Sequence, residues 1–562
     1  MPLLPFPQWA PDLSDYEGDT TQTILNAMPL ARGYAPFKAF NALTSSLAGT
    51  CRGFFCARRN DSSVAIFAAT ENKIYILDGG DLTWDDVSKG STTYTAIPTQ
   101  DQWQFAQFNN YVFAVQINTA PQVFDLTSST NFADLGGSPP QARYIAVVGR
   151  FLFLSGLGST IPYRVQWSGL AATTTWDGTN SSDFQDLPDG GIARTIGGGE
   201  YGYIFQDQCI RRLTYAPGSS VIFVIERISE DRGIFAPLSI VKGGNRIFYI
   251  GNDGFKMIPP GGIPEPIGQN RVDETFFADI DTSNLQLCIG ASDPKAGIAY
   301  WAYKSTQGAS GLFDKIIAYN WNLDRWFLVS QSGEYIGNLA QPGLTLENLD
   351  LITTDKVSVT GAANNGSGLI RLAVTSTSGW TTGDIKAIQN VAGTTEANGN
   401  WTITVIDATH IDLQGSTFTH AYTSGGTVAG SIELITGSFD DIFTSSFPKV
   451  TAFNSDHKAG FYSGSNLEAT LVTSRHGGDG RRIRVQGFRP IVDATTVYGS
   501  VSKQETEADV ASFSAEVARN TIGYVPHNIS TRYSRGKVRI PAGTTWTRAL
   551  GVEPKIALEG DR

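Results

Sequence analysis

The chain has 562 residues, a formal net charge of -11 and a pI near 5.1. That charge excludes tight nucleic-acid binding, which rests on Lys and Arg neutralising phosphates, while the length allows two to four domains at roughly 150 residues each. With charged residues at 17%, 60 glycines and 11% aromatics, the composition suits short strands joined by Gly-rich turns and disfavours long helices.

The opening MPLLPFPQWAPDL has neither the basic start nor the unbroken apolar stretch of a signal peptide. No apolar run approaches the roughly 20 residues of a membrane-spanning helix, so a soluble chain without a membrane span is expected. Residues 1–52 are punctuated by proline and carry the apolar anchors Trp9, Leu25, Met28, Tyr34, Phe37 and Phe40. They read as an extended N-terminal arm packed on the body.

From residue 53 one module recurs: FAATENKIYILDG (67–79), AQFNNYVFAVQ (106–116), AVVGRFLFLSG (146–156), IGGGEYGYIFQDQ (196–208) and VKGGNRIFYIGNDG (241–254). Each is a short apolar strand, a polar or Gly turn and a second strand of aromatic and aliphatic residues, the pattern of a β-hairpin. Outer strands with Trp or Phe beside an acidic turn follow in DLTWDDV (81–87), VFDLTSSTNFADL (123–135), YRVQWSGL (163–170) and IIAYNWNLDRWFLV (316–329). A spacing of roughly 40 to 50 residues is that of four-stranded propeller blades. The fold class expected is all-β, a β-propeller of about six blades over residues 53–345. An irregular pair of β-sandwiches is the rival.

Residues 356–430 change character to Thr, Gly, Asn and Ser. Their strands alternate, with Ile370, Leu372 and Val374 against Arg371 and Ala373, which predicts a small inserted β-domain; the segment also resembles a small β-module of phage tail and fibre proteins. Residues 431–562 return to mixed β structure and are expected to form a β-rich platform with a strand that closes the propeller. Within them KQETEADVASFSAEVARN (503–520) reads as more helical.

Motifs for chemistry are missing. The sequence has no GxxxxGKS/T, HExxH, GxSxG or paired CxxC, so no catalytic, cofactor-binding or metal-binding residue is assigned and no enzyme is expected. His410 and His420, ten apart, could meet across a hairpin over a metal, but read as surface histidines for want of a Cys or carboxylate partner. Cys51 and Cys56 read as small buried hydrophobes, and the other two cysteines, Cys209 and Cys288, complete no disulfide framework, as suits a reducing cytoplasm. DGTNSSD (177–183) reads as an Asx-rich turn more than a calcium loop. The acid pairs Asp85 and Asp86, Glu230 and Asp231, and Asp440 and Asp441 are sequence neighbours, which point to opposite faces of a strand, whereas a glycosidase needs two carboxylates facing each other. One basic constellation stands out, RHGGDGRRIRVQGFR (475–489). Its Arg475, Arg481, Arg482, Arg484 and Arg489 suit an inter-subunit or anion contact. Trp380, Trp401 and Tyr422 of the insertion could stack on sugars, with core packing the simpler role.

The two ends of the chain resemble tail nozzle or tail-hub proteins of short-tailed bacteriophages, the tubular tail protein B-like group. The N-terminal part is carried by Trp9, Pro11, Asp12, Leu13, Asn26, Pro29, Gly33, Tyr34, Pro36 and Phe37, and the C-terminal part by RRIRVQGFRPIVD (481–493), by Tyr533 and Arg535 within TRYSRGKVRIPAGTTWTRALGVE (531–553), and by the closing GDR. The resemblance implies a non-enzymatic structural protein of the virion, made in the host bacterial cytoplasm. It implies a homo-oligomeric ring of six below an adaptor ring, with tail fibres or spikes and the tail tip as further partners. Such a ring continues the portal channel, retains the packaged double-stranded DNA and lets it pass on ejection without tight binding. An acidic wall suits passage, because a conduit must not hold its cargo. A receptor- or glycan-binding tail protein is the alternative, and a propeller hydrolase of surface polysaccharide a further one.

Overall fold

The computed structural model describes residues 3–14, 18–61, 63–79, 81–199, 201–219, 221–339, 357–430, 448–477, 481–506 and 508–559. Their regular structure is almost wholly β. The only α-helix among them is Asp273–Asp279, and none is long and apolar enough to cross a membrane.

Five antiparallel sheets of four strands follow one another along the chain, opening with strands Gly53–Arg58, Gln104–Phe108, Ala142–Val148, Ala193–Gly197 and Val241–Gly243. The hairpins expected from the sequence are the inner pairs of these sheets. Their turns reverse where the residue types allow a positive φ, at Asn109 (φ 52) and Gly149 (φ 55). A sixth sheet, Ile289–Asp293, Ile298–Tyr303, Phe313–Asn320 and Arg325–Gly333, continues into the rest of the molecule.

The seventh sheet departs from the sequence reading. It begins with Tyr335–Leu339, takes its middle strands Lys449–Phe453 and Ala459–Phe461 from beyond the insertion, and is closed outside by Asn41–Ala42. The expected count of about six follows the contiguous sheets and omits this one, because its hairpin is interrupted in sequence. Two of its four strands lie within residues 431–562, and the outermost comes from the N-terminal 52 residues. The strand Tyr335–Leu339 packs beside both Ile289–Asp293 and Gly53–Arg58, so the first strands of the seven sheets form a closed ring.

The N-terminal segment is not an arm laid on a finished body. Its strand Ile24–Leu25 sits between Arg325–Gly333 of the sixth sheet and Ala469–Val472, making a ten-stranded sheet that runs on through Gly536–Ile540 and Tyr498–Lys503. Leu4–Pro5, Ala27–Pro29 and Tyr34–Pro36 join Ile483–Val492, Val525–Thr531 and Ala549–Leu558 in a six-stranded sheet. These two sheets are the platform. One apolar core runs from the fifth and sixth sheets into it, through Phe255, Trp301, Trp326, Leu471, Val485 and Val538. Each such large side chain contributes about 1.5–3 kcal/mol by leaving water.

Residues 503–506 and 508–520 are not helical. Ser512–Phe513 and Val517–Ala518 pair with Tyr498–Lys503. The stretch is charged and small-residued without an apolar stripe at helical spacing, so a neighbouring strand edge decides its form.

Residues 357–430 close into a six-stranded barrel around their own core of Ile370, Leu372, Val374, Ile388, Ile403 and Ile411. The alternation read in the sequence is the barrel's inside and outside: Ile370, Leu372 and Val374 are buried, and Arg371 pairs with Asp412 at 2.6 Å.

Candidate functional site

The N-terminal positions that carry the family resemblance are joints. Asn26, with φ 58, holds three segments together: its Nδ2 donates to the Glu468 carbonyl at 2.8 Å, its Oδ1 accepts from Ser330 N at 2.8 Å, and its own N–H donates to Leu328 O at 2.9 Å. Asn tolerates the left-handed region and supplies both an acceptor and a donor, which few other side chains do. Gly33, at φ 78, lies so close to Ala549 that a Cβ would stand 2.2 Å from its carbonyl oxygen. Tyr34 is fully buried, and its hydroxyl donates to Pro7 O at 2.7 Å. Burial pushes its phenol pKa well up.

Asp12 reaches the α-helix Asp273–Asp279 and caps it. Its carboxylate accepts from Glu274 N at 2.8 Å and Thr275 N at 2.9 Å, taking up two N–H groups that a helix start leaves unpaired. Behind the cap, Asp273 is held against Gly254 and Gly268, where no side chain stands between. Burial raises its carboxyl pKa to about 6, opposed by the Phe255 N–H and Lys256 and assisted by the nearby Asp12 and Asp253.

The seventh sheet is tied to the first by a pair the sequence did not single out. Glu334, nearly fully buried, accepts from Cys51 N at 2.9 Å, and its other oxygen lies 2.6 Å from His457 Nδ1. Burial raises the Glu334 pKa, against the pull of the Cys51 N–H and His457. Nothing local marks Glu334, since its partners are 283 and 123 residues away.

The arginines of 475–489 lie on the platform, and several have partners within the chain. Arg482 pairs with Glu505 at 2.9 Å, Arg484 donates to Asn528 Oδ1 at 2.6 Å, and the Arg475 guanidinium stands over the Tyr533 ring at 4.9 Å. Arg489 projects from the exposed side of Ile483–Val492 in register with Glu553. Arg481 precedes the strand. The cluster is therefore partly neutralised by acids of its own chain, a weaker anion site than five free cations.

In the barrel, Trp380 and Tyr422 belong to the core and its margin, with Lys386 Nζ 4.6 Å from the Trp380 ring centre and the Tyr422 hydroxyl donating to Val359 O. Trp401 packs there also and donates to Ala397 O at 2.9 Å. Both histidines lie at the surface, as read from the sequence, but each has a carboxylate neighbour that the sequence did not suggest: His410 lies 2.9 Å from Asp407 and His420 3.3 Å from Glu396. Among the described residues no group of three or more His, Cys, Asp or Glu side chains converges as metal ligands would.

Cys51 is buried and Cys56 half-buried. Asp177 accepts from the N–H and hydroxyl of Thr179, the closed geometry of an Asx turn. Asp86 pairs with Lys73 at 2.5 Å, Glu230 and Asp231 are exposed, and Asp440 and Asp441 lie outside the described residues.

At the centre of the ring is a cavity of about 600 Å³. Cys56, Ala106, Val147, Ile196, Lys242, Gly290 and Gly337 line it, one from the first strand of each of the seven sheets.

No protein-family model and no curated protein matches the chain. Among solved structures it is similar to the extracellular domain of a putative hybrid two-component system of B. thetaiotaomicron, with 11% identity, a TM-score of 0.33, and coverage of 62% of this chain and 46% of that one. It is also similar to YCF48 bound to D1 peptide, with 11% identity and a TM-score of 0.30 over 52% of this chain and 86% of the other.

Proposed function

We propose that the chain is a structural subunit of a short-tailed phage tail nozzle, in which the seven sheets are blades of a propeller and the platform builds the ring. The observation that carries the reading is the interlock of the two chain ends. Of the residues in which the sequence resembles tail nozzle proteins, Asn26 ties the Glu468 carbonyl to the sixth sheet and Asp12 caps the helix between the fifth and sixth sheets, while Gly33 and Tyr34 lock the N-terminal segment within the platform. Residues spent on rigid joints suit a part that bears load and performs no bond chemistry.

The size of the central cavity supports an oligomer. At about 600 Å³ it is far too small to pass duplex DNA, so a conduit has to be enclosed between subunits. The platform offers surface for that contact: the three most exposed large apolar side chains among the described residues, Val510 (92%), Leu558 (75%) and Ile522 (73%), all belong to it. A net charge of -11 suits a bore that lets DNA slide.

Negative-stain microscopy and light scattering on the purified chain test this. The expected result is a discrete ring with a central lumen and a mass of six subunits. A monomer or trimer that binds cells and forms no ring at any concentration, as an isolated adhesin would, overturns it.

A further inference from the structure

The wall of the central cavity is unlike the rest of the molecule. Although the chain is acidic overall, no Asp or Glu lines this cavity among the described residues, while Arg58 and Lys242 do. Lys242 is the middle residue of Val241–Gly243, where its neighbours are buried in the sheet and it alone turns outward into the cavity. Its ammonium has no hydrogen bond or ion pair with any described residue. Lys242 itself is exposed, and the wall that surrounds it, with no carboxylate to oppose it, lowers its pKa below that of a free lysine. About half of the wall is apolar, including Phe55 and Phe105, whose rings stack at 6.0 Å.

We propose that this cavity binds a small amphiphilic anion, a carboxylate or sulfonate on an aromatic or aliphatic body, with the Lys242 ammonium as its counter-charge. The volume lies in the range of small-molecule sites, which combine mostly apolar walls with a few polar groups that fix orientation. The Lys242 ammonium, which no carboxylate of the cavity wall neutralises, gains in the anion the counter-charge it lacks, and the concave wall limits the water and salt that screen the pair. The apolar wall takes the body of the ligand and disfavours inorganic anions, which would leave their hydration without compensation. The site is internal to one chain and does not depend on ring assembly.

The test is a fluorescence titration of the full chain with 1-anilinonaphthalene-8-sulfonate, comparing the parent with Lys242→Met and Lys242→Arg. Saturable one-site binding is expected in the parent, weakened at least about tenfold by Lys242→Met and within about threefold of the parent in Lys242→Arg. Equal binding by a folded Lys242→Met chain overturns the proposal. A second arm uses the parent alone and so is immune to a folding defect: benzoate is expected to displace the probe where benzyl alcohol at equal concentration does not. Equal displacement by both assigns the binding to apolar contact only and also overturns it.

Discussion

The inserted barrel and the seventh sheet are neighbours in sequence and opposites in construction. Every strand of the barrel comes from residues 357–430, and its core is its own. The seventh sheet is gathered from residues 41–42, 335–339 and 449–461, and it is held to the first sheet through Glu334, Cys51 and His457. Local closure makes a unit that can be inserted into another protein without disturbing it, because loop-closure entropy grows slowly with the length of chain between two paired strands. Closure by distant segments does the opposite. It makes the stability of the ring depend on the N-terminal segment being in place.

The largest expected effect therefore falls on the distant joints. Asn26→Ala removes two side-chain hydrogen bonds, leaves Ser330 N and the Glu468 carbonyl without that partner, and puts a residue less suited to it at φ 58. A loss of about 2–4 kcal/mol is expected from these terms, read as a lowered urea midpoint. A midpoint within error of the parent would break the view that the N-terminal segment is structural.

A smaller effect of opposite sign is expected at Asp273, beside the cap that Asp12 makes. Its folded pKa of about 6 lies above the ordinary aspartate value of 3.8, so the folded state holds its proton longer than the unfolded state does. Stability falls as pH rises from about 3.8 to about 6, and the penalty is complete above that window. Asp273→Asn is expected to stabilise the chain by about 1–2 kcal/mol at pH 7.5, after allowance for solvent screening, and to lose that advantage below the window. Chemical denaturation at the two pH values measures it, and a gain that is the same at both sharpens the account against burial of charge.

The smallest effect is expected from the largest change. Removal of residues 357–430 should leave the thermal midpoint of the remainder unchanged and its ring intact, while the excised fragment folds alone with its own cooperative transition. Insolubility of the remainder would show that the barrel is not self-contained.

Legibility in the sequence follows the same division. The hairpins at 106–116 and 146–156 and the alternating strand at 370–374 could be read because pairing residues and turn lie within a few positions of each other. Asn26 and Gly33 were visible as parts of a resemblance, with no local clue to their work, since their contacts lie at Ser330, Glu468 and Ala549. The helical reading of 503–520 failed because the composition was weighed without the strand edge at Tyr498–Lys503 that claims the segment. Lys242 stood inside a recognised hairpin, yet its isolation in a cavity without acids depends on seven strands spread over the chain.

By itself the sequence determined an all-β chain of repeating hairpins with a separate Thr- and Gly-rich module, because strand periodicity and turn chemistry are short-range properties. Only the tertiary structure decided that there are seven sheets in the ring, that the N-terminal segment closes it and joins it to the platform, and that a lone ammonium faces its centre. Those features are set by which distant strand edges find each other, and an edge's free hydrogen-bonding groups carry no mark of their partner in the residues nearby.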